Sequence, residues 1–332
     1  MIRSFAYTNQ GALHAQDIEA FVMPTLLADT NLFLWVDLED PTTEEARLVL
    51  DSIFHFHPLS IEDATKETLS PKVEEYSPKE DDRFPPYLFV AIHAVDYSRK
   101  DGVFATSELN FFLGRNFLVT VHDLSMKAVA VTAELSRRAK SRVFRSPDRV
   151  AYTLLDTLVD HYKPALDELS LELGELETEV IENPSPATMH KILGIKKEVL
   201  HLRQIIGPQR EVLHRFARGE FKLIRPKMVP YFRDVYDSLF RISDMALGYA
   251  DSLTGILHVY LSMVSNQTGD VVKLLTLITV ITTPLMVLGT WYGMNFKDMP
   301  ELSSPHGYGV VGLVAAASTV VTYWYFKRRR WL

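Results

Sequence analysis

The run Leu274–Phe296, LLTLITVITTPLMVLGTWYGMNF, decides how the rest of the chain is read. Its 23 residues carry no charge. A helix of that length covers roughly 34 Å at about 1.5 Å per residue, enough to cross a hydrocarbon core. A second charge-free run of 25 residues, Leu302–Phe326, follows it. Only Lys297-Asp298-Met299-Pro300-Glu301 separates the two, so the pair predicts a hairpin through a bilayer. Upstream, the first run continues a long helix that starts near Tyr231, polar and acidic in its first half and apolar in its second.

The flanks orient the hairpin. Lys327-Arg328-Arg329-Arg330 abuts the second run, and the positive-inside rule assigns that tail to the cytoplasm. Two spans then place the N-terminal region on the same side. The start, Met1-Ile2-Arg3-Ser4, has no apolar core of a signal peptide. The expected location is a cell (inner) membrane, multi-pass, with N- and C-termini cytoplasmic and membrane lipid around the spans. Tyr323, Trp324, Tyr325 and Trp331 read as an interfacial aromatic belt. Formal net charge is −7; residues from Leu274 onward hold five Lys/Arg against two Asp/Glu, which leaves −10 for the preceding part. An acidic body argues against nucleic acid as a partner and toward cations. The absence of cysteine excludes thiolate metal sites and disulfides.

Residues 1–124 read as a mixed α/β domain. Asn31–Val36, Tyr87–Val95, Thr106–Leu113 and Asn116–His122 are rich in aromatic and β-branched residues and predict strands, the last two joined by a turn at Gly114-Arg115. Asp40 before Pro41 predicts a helix start, with the helix reaching about Phe54. No Gly-rich phosphate loop is present. Residues 125–230 read as helical: one helix from Ser146-Pro147-Asp148 to about Glu182, a turn at Asn183-Pro184-Ser185-Pro186, and a second helix from about Ala187 to Arg218, kinked at Pro208. The stalk helix and first span occupy 231–296, an external loop 297–307, and the second span with its basic tail 308–332. The expected fold is an α+β cytoplasmic domain, a long stalk helix and two C-terminal transmembrane helices.

Asp237, Asp244 and Asp251 recur at seven-residue spacing on the stalk, with Asp234 one turn earlier. A seven-residue repeat keeps one face of a helix aligned. Two readings stay open: a solvated acidic stripe, or carboxylates that parallel copies of the helix gather around an axis to collect cations. Within the first span Thr276, Thr279, Thr283 and Thr290 share a face, with Val272, Leu275 and Met286 beside them. A two-span hairpin cannot enclose a water path, so conduction would need several copies, each lending this face to a wall. Against that, threonines in a spanning helix can simply bond back to their own backbone. At the outer end Gly293 permits close backbone approach, and Asn295 places an amide oxygen where the chain leaves the membrane. A ring of such neutral oxygens would suit Mg²⁺, which keeps several waters in most sites. Glu301 in the loop would concentrate cations nearby.

At these residues the chain resembles the CorA magnesium/cobalt channel family. Tyr292-Gly293-Met294-Asn295-Phe296 followed by Met299-Pro300-Glu301-Leu302 is similar to that family's Gly-Met-Asn signature and its loop. The resemblance extends inward through His57-Pro58-Leu59-Ser60-Ile61-Glu62-Asp63, Pro71–Tyr76 and Pro230–Asp237, so it covers nearly the whole chain. It implies a funnel-shaped homopentamer with Gly293, Met294 and Asn295 as selectivity filter. It also implies regulatory Mg²⁺ between subunits, held by Asp63 and Asp234 with Glu62 beside them. The implied cargo is Mg²⁺, with Co²⁺ and Ni²⁺. The sequence departs from the family where Thr283 stands in place of Met, Met286 in place of Thr, and His258 where an Asp ring is familiar at the pore mouth. Leu275 or Val272 remain as an apolar constriction that could stop ions by dewetting.

Other readings are a zinc transporter of the related ZntB type, which has a different loop, and a membrane-tethered coiled-coil scaffold. An enzyme is not expected. His55 and His57 lie close together, but no His-Glu-x-x-His pattern, nucleophile elbow or Cys–His pairing accompanies them.

Overall fold

The computed structural model describes residues 1–66, 70–78, 84–100, 103–137, 142–295, 304–329 and 331, and for 96–100, 103, 136–137 and 142–143 the backbone alone. Glu301 and the Met299–Leu302 loop lie outside the described residues.

The N-terminal part is built on seven strands: β1 Ile2–Thr8, β2 Leu13–Gln16, β3 Leu32–Glu39, β4 Lys72–Tyr76, β5 Tyr87–Lys100, β6 Val103–Gly114 and β7 Phe117–His122. They form one sheet in the order β2-β1-β3-β7-β6-β5-β4. β3 and β7 run parallel, Leu34 opposite Phe117 and Glu39 opposite His122. The other neighbours are antiparallel. Both faces of the centre are covered. On one, Leu34, Val36, Leu38, Val119 and Val121 meet Val49, Leu50, Phe54, Phe56 and Ala64. On the other, Tyr7 and Trp35 stack with Phe144 at 4.4 and 6.1 Å between ring centroids. That double cover is why β3 and β7 read as unbroken apolar runs instead of alternating ones.

A buried polar pair, Asp37 and His122, lies in this core. Asp37 on β3 is 1% exposed. It accepts from Arg3 Nη2 at 2.7 Å and from Thr120 Oγ1 at 2.6 Å, with His122 Nε2 at 3.2 Å. Burial pushes the Asp37 carboxyl up, but the hydrogen bond and charge of His122, with Thr120 and Arg3, outweigh it and hold it below its ordinary value. Burial likewise depresses His122, and its bond to Asp37 more than reverses this, so its imidazole sits above the ordinary value. Both shifts favour the charged form of each partner across β3 and β7, and the hydrogen bonds offset the cost of burying charge.

The helices are α1 Met23–Ala28, α2 Thr43–Ala46, α3 Pro58–Thr65, α4 Lys127–Arg137, α5 Pro147–Asp160, α6 Tyr162–Glu182, α7 Pro186–Ala217, α8 Val229–Tyr292 and α9 Gly307–Arg328. The helix expected to begin at Asp40-Pro41 starts instead at Thr42. Its hydroxyl accepts from the Glu45 amide while the Glu45 carboxylate accepts from the Thr42 amide, a reciprocal cap that fixes the start. After Ala46 the backbone widens into a π-helical turn over Arg47–Ile53. The helix expected from Ser146 to Glu182 is two helices, α5 and α6, broken at His161. Pro164 supplies the reason: it has no N–H for the Asp160 carbonyl, so the hydrogen-bond ladder cannot run through. α7 continues past Pro208.

The chain divides into two compact units, residues 1–179 with 185–256, and residues 180–184 with 257–332. In the first, Arg225 Nε donates to Asp148 Oδ2 at 2.8 Å, which ties the turn before α8 to the start of α5. Along this part of α8 the buried residues Phe232, Val235, Leu239, Ile242 and Ala246 follow a three-four spacing, the seam of an amphipathic helix. In the second unit, the rest of α8 and α9 are long and apolar enough to cross a membrane.

Candidate functional site

α8 runs unbroken for 64 residues and carries most of the candidate residues. In its apolar part Thr276 is half-buried, and the other covered positions are Leu277, which is buried, and Ile281, Pro284 and Leu288, which are half-buried. These four recur at helical spacing and define one face. Thr279 and Leu288 are nine residues apart, and nine steps of about 100° put them on opposite sides of the helix. Val272, Leu275, Thr283, Met286 and Thr290 fall within about 40° of Thr279, and all six are exposed. Val272, Leu275 and Met286 are 56, 65 and 62% exposed. Thr279, Thr283 and Thr290 thus lie on the face diametrically opposed to the one this chain covers itself, while Thr276 lies toward its covered edge.

The hydroxyls bond back to the helix. Thr276, Thr279, Thr283 and Thr290 donate to the carbonyls of Val272, Leu275, Thr279 and Met286 at 2.8, 2.9, 2.7 and 2.6 Å. This is the local bonding anticipated for isolated threonines. In this bonding each hydroxyl proton goes to the helix backbone and the oxygen lone pairs are left for other partners. A wall of such acceptors suits a cation, or the waters around one.

The helix ends at Tyr292, where the Gly293 amide still donates to Gly289 O at 3.0 Å and the Met294 amide to Trp291 O at 3.4 Å. A Cβ on residue 293 would stand 3.0 Å from Gly289 O and 3.7 Å from Thr290 O. Glycine is favoured here by the close backbone approach, not by an unusual φ. Met294 and Asn295 are exposed just beyond it, and the Asn295 amide makes no hydrogen bond to the described residues of its own chain. Asp237, Asp244, Asp251 and His258 are all exposed on the stalk.

The three carboxylates that the family resemblance links to regulation belong to separate clusters within one chain. Asp63 on α3 accepts from Lys72 Nζ at 2.6 Å, and Lys72 also reaches Glu74 at 3.1 Å. Burial lowers the Lys72 ammonium, but its bonds to Asp63 and Glu74 win and raise it. Glu62 accepts from Lys66 at 2.5 Å on the exposed side of α3. Asp234, exposed in the second turn of α8, faces a different group on α5. The Tyr152 hydroxyl donates to Asp156 Oδ2 at 3.3 Å. The Asp156 carboxyl is pushed up by burial, then by the charges of Asp160 and Asp234. Tyr152 rises to about 12, from burial first and from Asp156, with Asp234 adding to it. Asp156 and Asp160 were not among the residues expected from sequence. Their i,i+4 spacing beside the buried run Leu154, Leu155, Leu158 and Val159 was the available signal. Among the described residues no three His, Asp or Glu side chains of one chain are grouped to hold a metal.

A mixed-sheet domain, a 64-residue helix running up to Gly-Met-Asn, and one further helix long and apolar enough to cross a membrane are the parts of a two-span membrane protein. Residues 31–328 match the family described as CorA-like Mg²⁺ transporter protein, and the chain belongs to that family. It is 32% identical over 317 residues to the cobalt/magnesium transport protein CorA of Thermotoga maritima, covering 95% of this chain and 87% of that one. A Methanocaldococcus jannaschii protein of the same description is 26% identical, with 90 and 91% covered. Among solved structures, the complete CorA magnesium transporter of M. jannaschii superposes with a TM-score of 0.81 at 22% identity, covering 99 and 98% of the two chains. The cytoplasmic domain of ZntB from Vibrio parahaemolyticus superposes with a TM-score of 0.57 at 13% identity, covering 70 and 88%.

Proposed function

We propose that this chain is one subunit of a homopentameric channel in a cell inner membrane, with both termini cytoplasmic. It admits Mg²⁺, and with it Co²⁺ and Ni²⁺. The observation that carries this reading is the threonine stripe, with Thr279, Thr283 and Thr290 exposed on the side of α8 away from its covered face and their oxygen lone pairs left for other partners. Copies arranged with that face inward make an acceptor-lined wall from Val272 to Thr290. The Asn295 amides form a ring at its outer end, together with Gly293 and Met294. Waters of a hydrated cation donate hydrogen bonds to such oxygens, so Mg²⁺ passes without the dehydration it resists. Val272 and Leu275 give the same wall an apolar constriction at its inner end.

The driving force is electrical. A divalent ion gains roughly 2 × 2.3 ≈ 4.6 kcal/mol for each 100 mV of inside-negative potential, more than a thousandfold in concentration. Closure is set by cytoplasmic Mg²⁺ at subunit interfaces. Asp63 of one subunit faces the Asp234–Asp156–Asp160 group of the next, and Glu62 adds charge beside it. Bound Mg²⁺ displaces Lys72 from Asp63 and neutralises carboxylates that otherwise repel, which favours the closed state only insofar as the ion binds that state better.

The test is uptake of Mg²⁺, Co²⁺, Ni²⁺ and Zn²⁺ into proteoliposomes under an imposed potential. Potential-driven Mg²⁺ uptake that is lost in Asn295→Ala supports the reading. Uptake of Zn²⁺ alone that follows a pH gradient, or Mg²⁺ uptake indifferent to Asn295→Ala, refutes it.

A further inference from the structure

The end of α9 carries a cationic group. Lys327, Arg328 and Arg329 follow Trp324, Tyr325 and Phe326 on the same helix end. The Arg328 guanidinium lies 5.4 Å from the Trp324 ring centroid and that of Arg329 lies 5.8 Å from the Tyr325 ring. The Arg329 amide donates to Tyr325 O and the Trp331 amide to Phe326 O, each at 3.1 Å. The Phe326 and Trp331 rings meet at 5.5 Å, so the turn folds back on its own aromatics. From Leu302 to Leu332 there is no Asp or Glu. Among the described residues none of these three cations has a carboxylate within ion-pair distance.

We infer that this turn is a binding site for the phosphate groups of anionic phospholipids in the leaflet that faces the tail. Aromatic residues of this kind settle at headgroup depth. Stacking holds each guanidinium over its ring, at the level of lipid phosphates, where a fork of N–H groups matches phosphate oxygens. Unstacked side chains of this length would extend toward water and be screened. Positive charge facing a leaflet of anionic lipids, with no acid in the segment to compete, selects the occupant. The inference rests on α9 crossing the bilayer, but not on what the channel carries.

The test uses the full-length protein in phosphatidylcholine vesicles doped with brominated phosphatidylglycerol or, separately, brominated phosphatidylcholine, and reads quenching of tryptophan fluorescence. Brominated phosphatidylglycerol should quench at a much lower mole fraction than its zwitterionic counterpart. The double variant Trp324→Phe, Trp331→Phe, which removes both tryptophans of the turn, should lose most of that difference. Each basic residue near an anionic surface strengthens binding about fivefold, so the triple variant Lys327→Gln, Arg328→Gln, Arg329→Gln should reduce the preference roughly a hundredfold. Arg328→Lys with Arg329→Lys keeps the charge and loses only the fork and the stacking, so it should show a smaller loss. Equal quenching by both lipids overturns the inference, as does an unchanged preference in the triple variant. So does loss of the preference on adding inorganic phosphate, which would make a soluble anion the occupant. A triple variant that changes only the size of the assembly also overturns it, pointing to acidic residues of a second copy. Asn295→Ala should keep the lipid preference while losing uptake, which separates failure of this site from failure of the transport reading.

Discussion

Asp156→Asn tests the regulatory half of the site most directly. Asp156 is half-buried on α5, accepts a hydrogen bond from Tyr152 at 3.3 Å, and is held above its ordinary value by burial and by Asp160 and Asp234. Its ionised form is therefore disfavoured in the folded protein. For a carboxyl whose folded value is raised, the cost is present at neutral pH, is relieved as pH falls through the folded value, and is gone below the unfolded value of about 3.8. Asn keeps an oxygen for the Tyr152 hydroxyl and removes the charge. A like-charged i,i+4 pair costs about 0.2–0.5 kcal/mol. Asp160 is such a neighbour and Asp234 adds a second of similar size, so the substitution should stabilise the metal-free protein by roughly 0.5–1 kcal/mol. At about 2–4 °C per kcal/mol this is a rise of roughly 1–4 °C in Tm.

Mg²⁺ should reverse the order. If it binds the folded assembly at this cluster, a concentration ten times Kd stabilises the native chain by about 1.4 kcal/mol, roughly 3–6 °C. The Asn variant, lacking one carboxylate, should show a clearly smaller shift. The assay is thermal unfolding of the purified protein across a Mg²⁺ titration, at pH 7 and again near pH 4.5, where the difference between native and variant should shrink. If Asp156→Asn lowers Tm without Mg²⁺, or leaves the Mg²⁺-induced shift intact, the like-charge account of this cluster is wrong.

Three further outcomes follow from the geometry. Gly293→Ala places a Cβ 3.0 Å from Gly289 O; overpacking of this kind costs about 1–3 kcal/mol, so proteoliposome uptake should fall at least about fivefold while expression holds, and unchanged uptake would remove the need for glycine there. Thr283→Val keeps the shape and deletes one outward acceptor per subunit, worth about 0.5–1.5 kcal/mol; Mg²⁺ conductance should drop two- to tenfold, and a variant that conducts as well as the native chain denies the stripe a role. Asp37→Asn breaks the buried bridge to His122, a loss of about 3–5 kcal/mol. The lowered Asp37 contributes above its unfolded value of 3.8 and the raised His122 contributes below 6.5, so the drop in Tm should be greatest between those pH values, and a pH-independent drop would show that the pair is not ionic.

What the sequence made legible was whatever a single segment states without a partner. Twenty-three residues without charge must leave water wherever they lie, so the membrane helices could be read from Leu274 onward. β3 and β7 showed as apolar runs because both their faces are covered. β1, β2 and β4 were missed for the converse reason: each draws its character from a neighbour. β4 reads Lys72-Val73-Glu74-Glu75-Tyr76, too charged for a core strand, and it is an edge strand whose Lys72 is neutralised by Asp63 and Glu74. Arg3 in β1 is tolerated only because Asp37 and Glu39 stand on the adjacent strand.

The same division runs through the site. The seven-residue spacing of the stalk aspartates and the threonine face are periodicities of one helix, and they were visible in the sequence. Asp156 and Asp160 acquire meaning only when α5 is laid beside the start of α8, a contact separated by about eighty residues of chain in which α6 and α7 intervene. Asp63 is a further step removed, since in its own chain it already has Lys72 as counter-ion. A carboxylate so neutralised has no reason to bind a cation unless something outside the chain competes for it. A neighbouring subunit that brings Asp234, Asp156 and Asp160 against it would supply that competition, because a divalent ion can satisfy several carboxylates where one ammonium cannot. The regulatory reading therefore stands or falls with the assembly, while the acceptor-bearing face of α8 is a property of each chain alone.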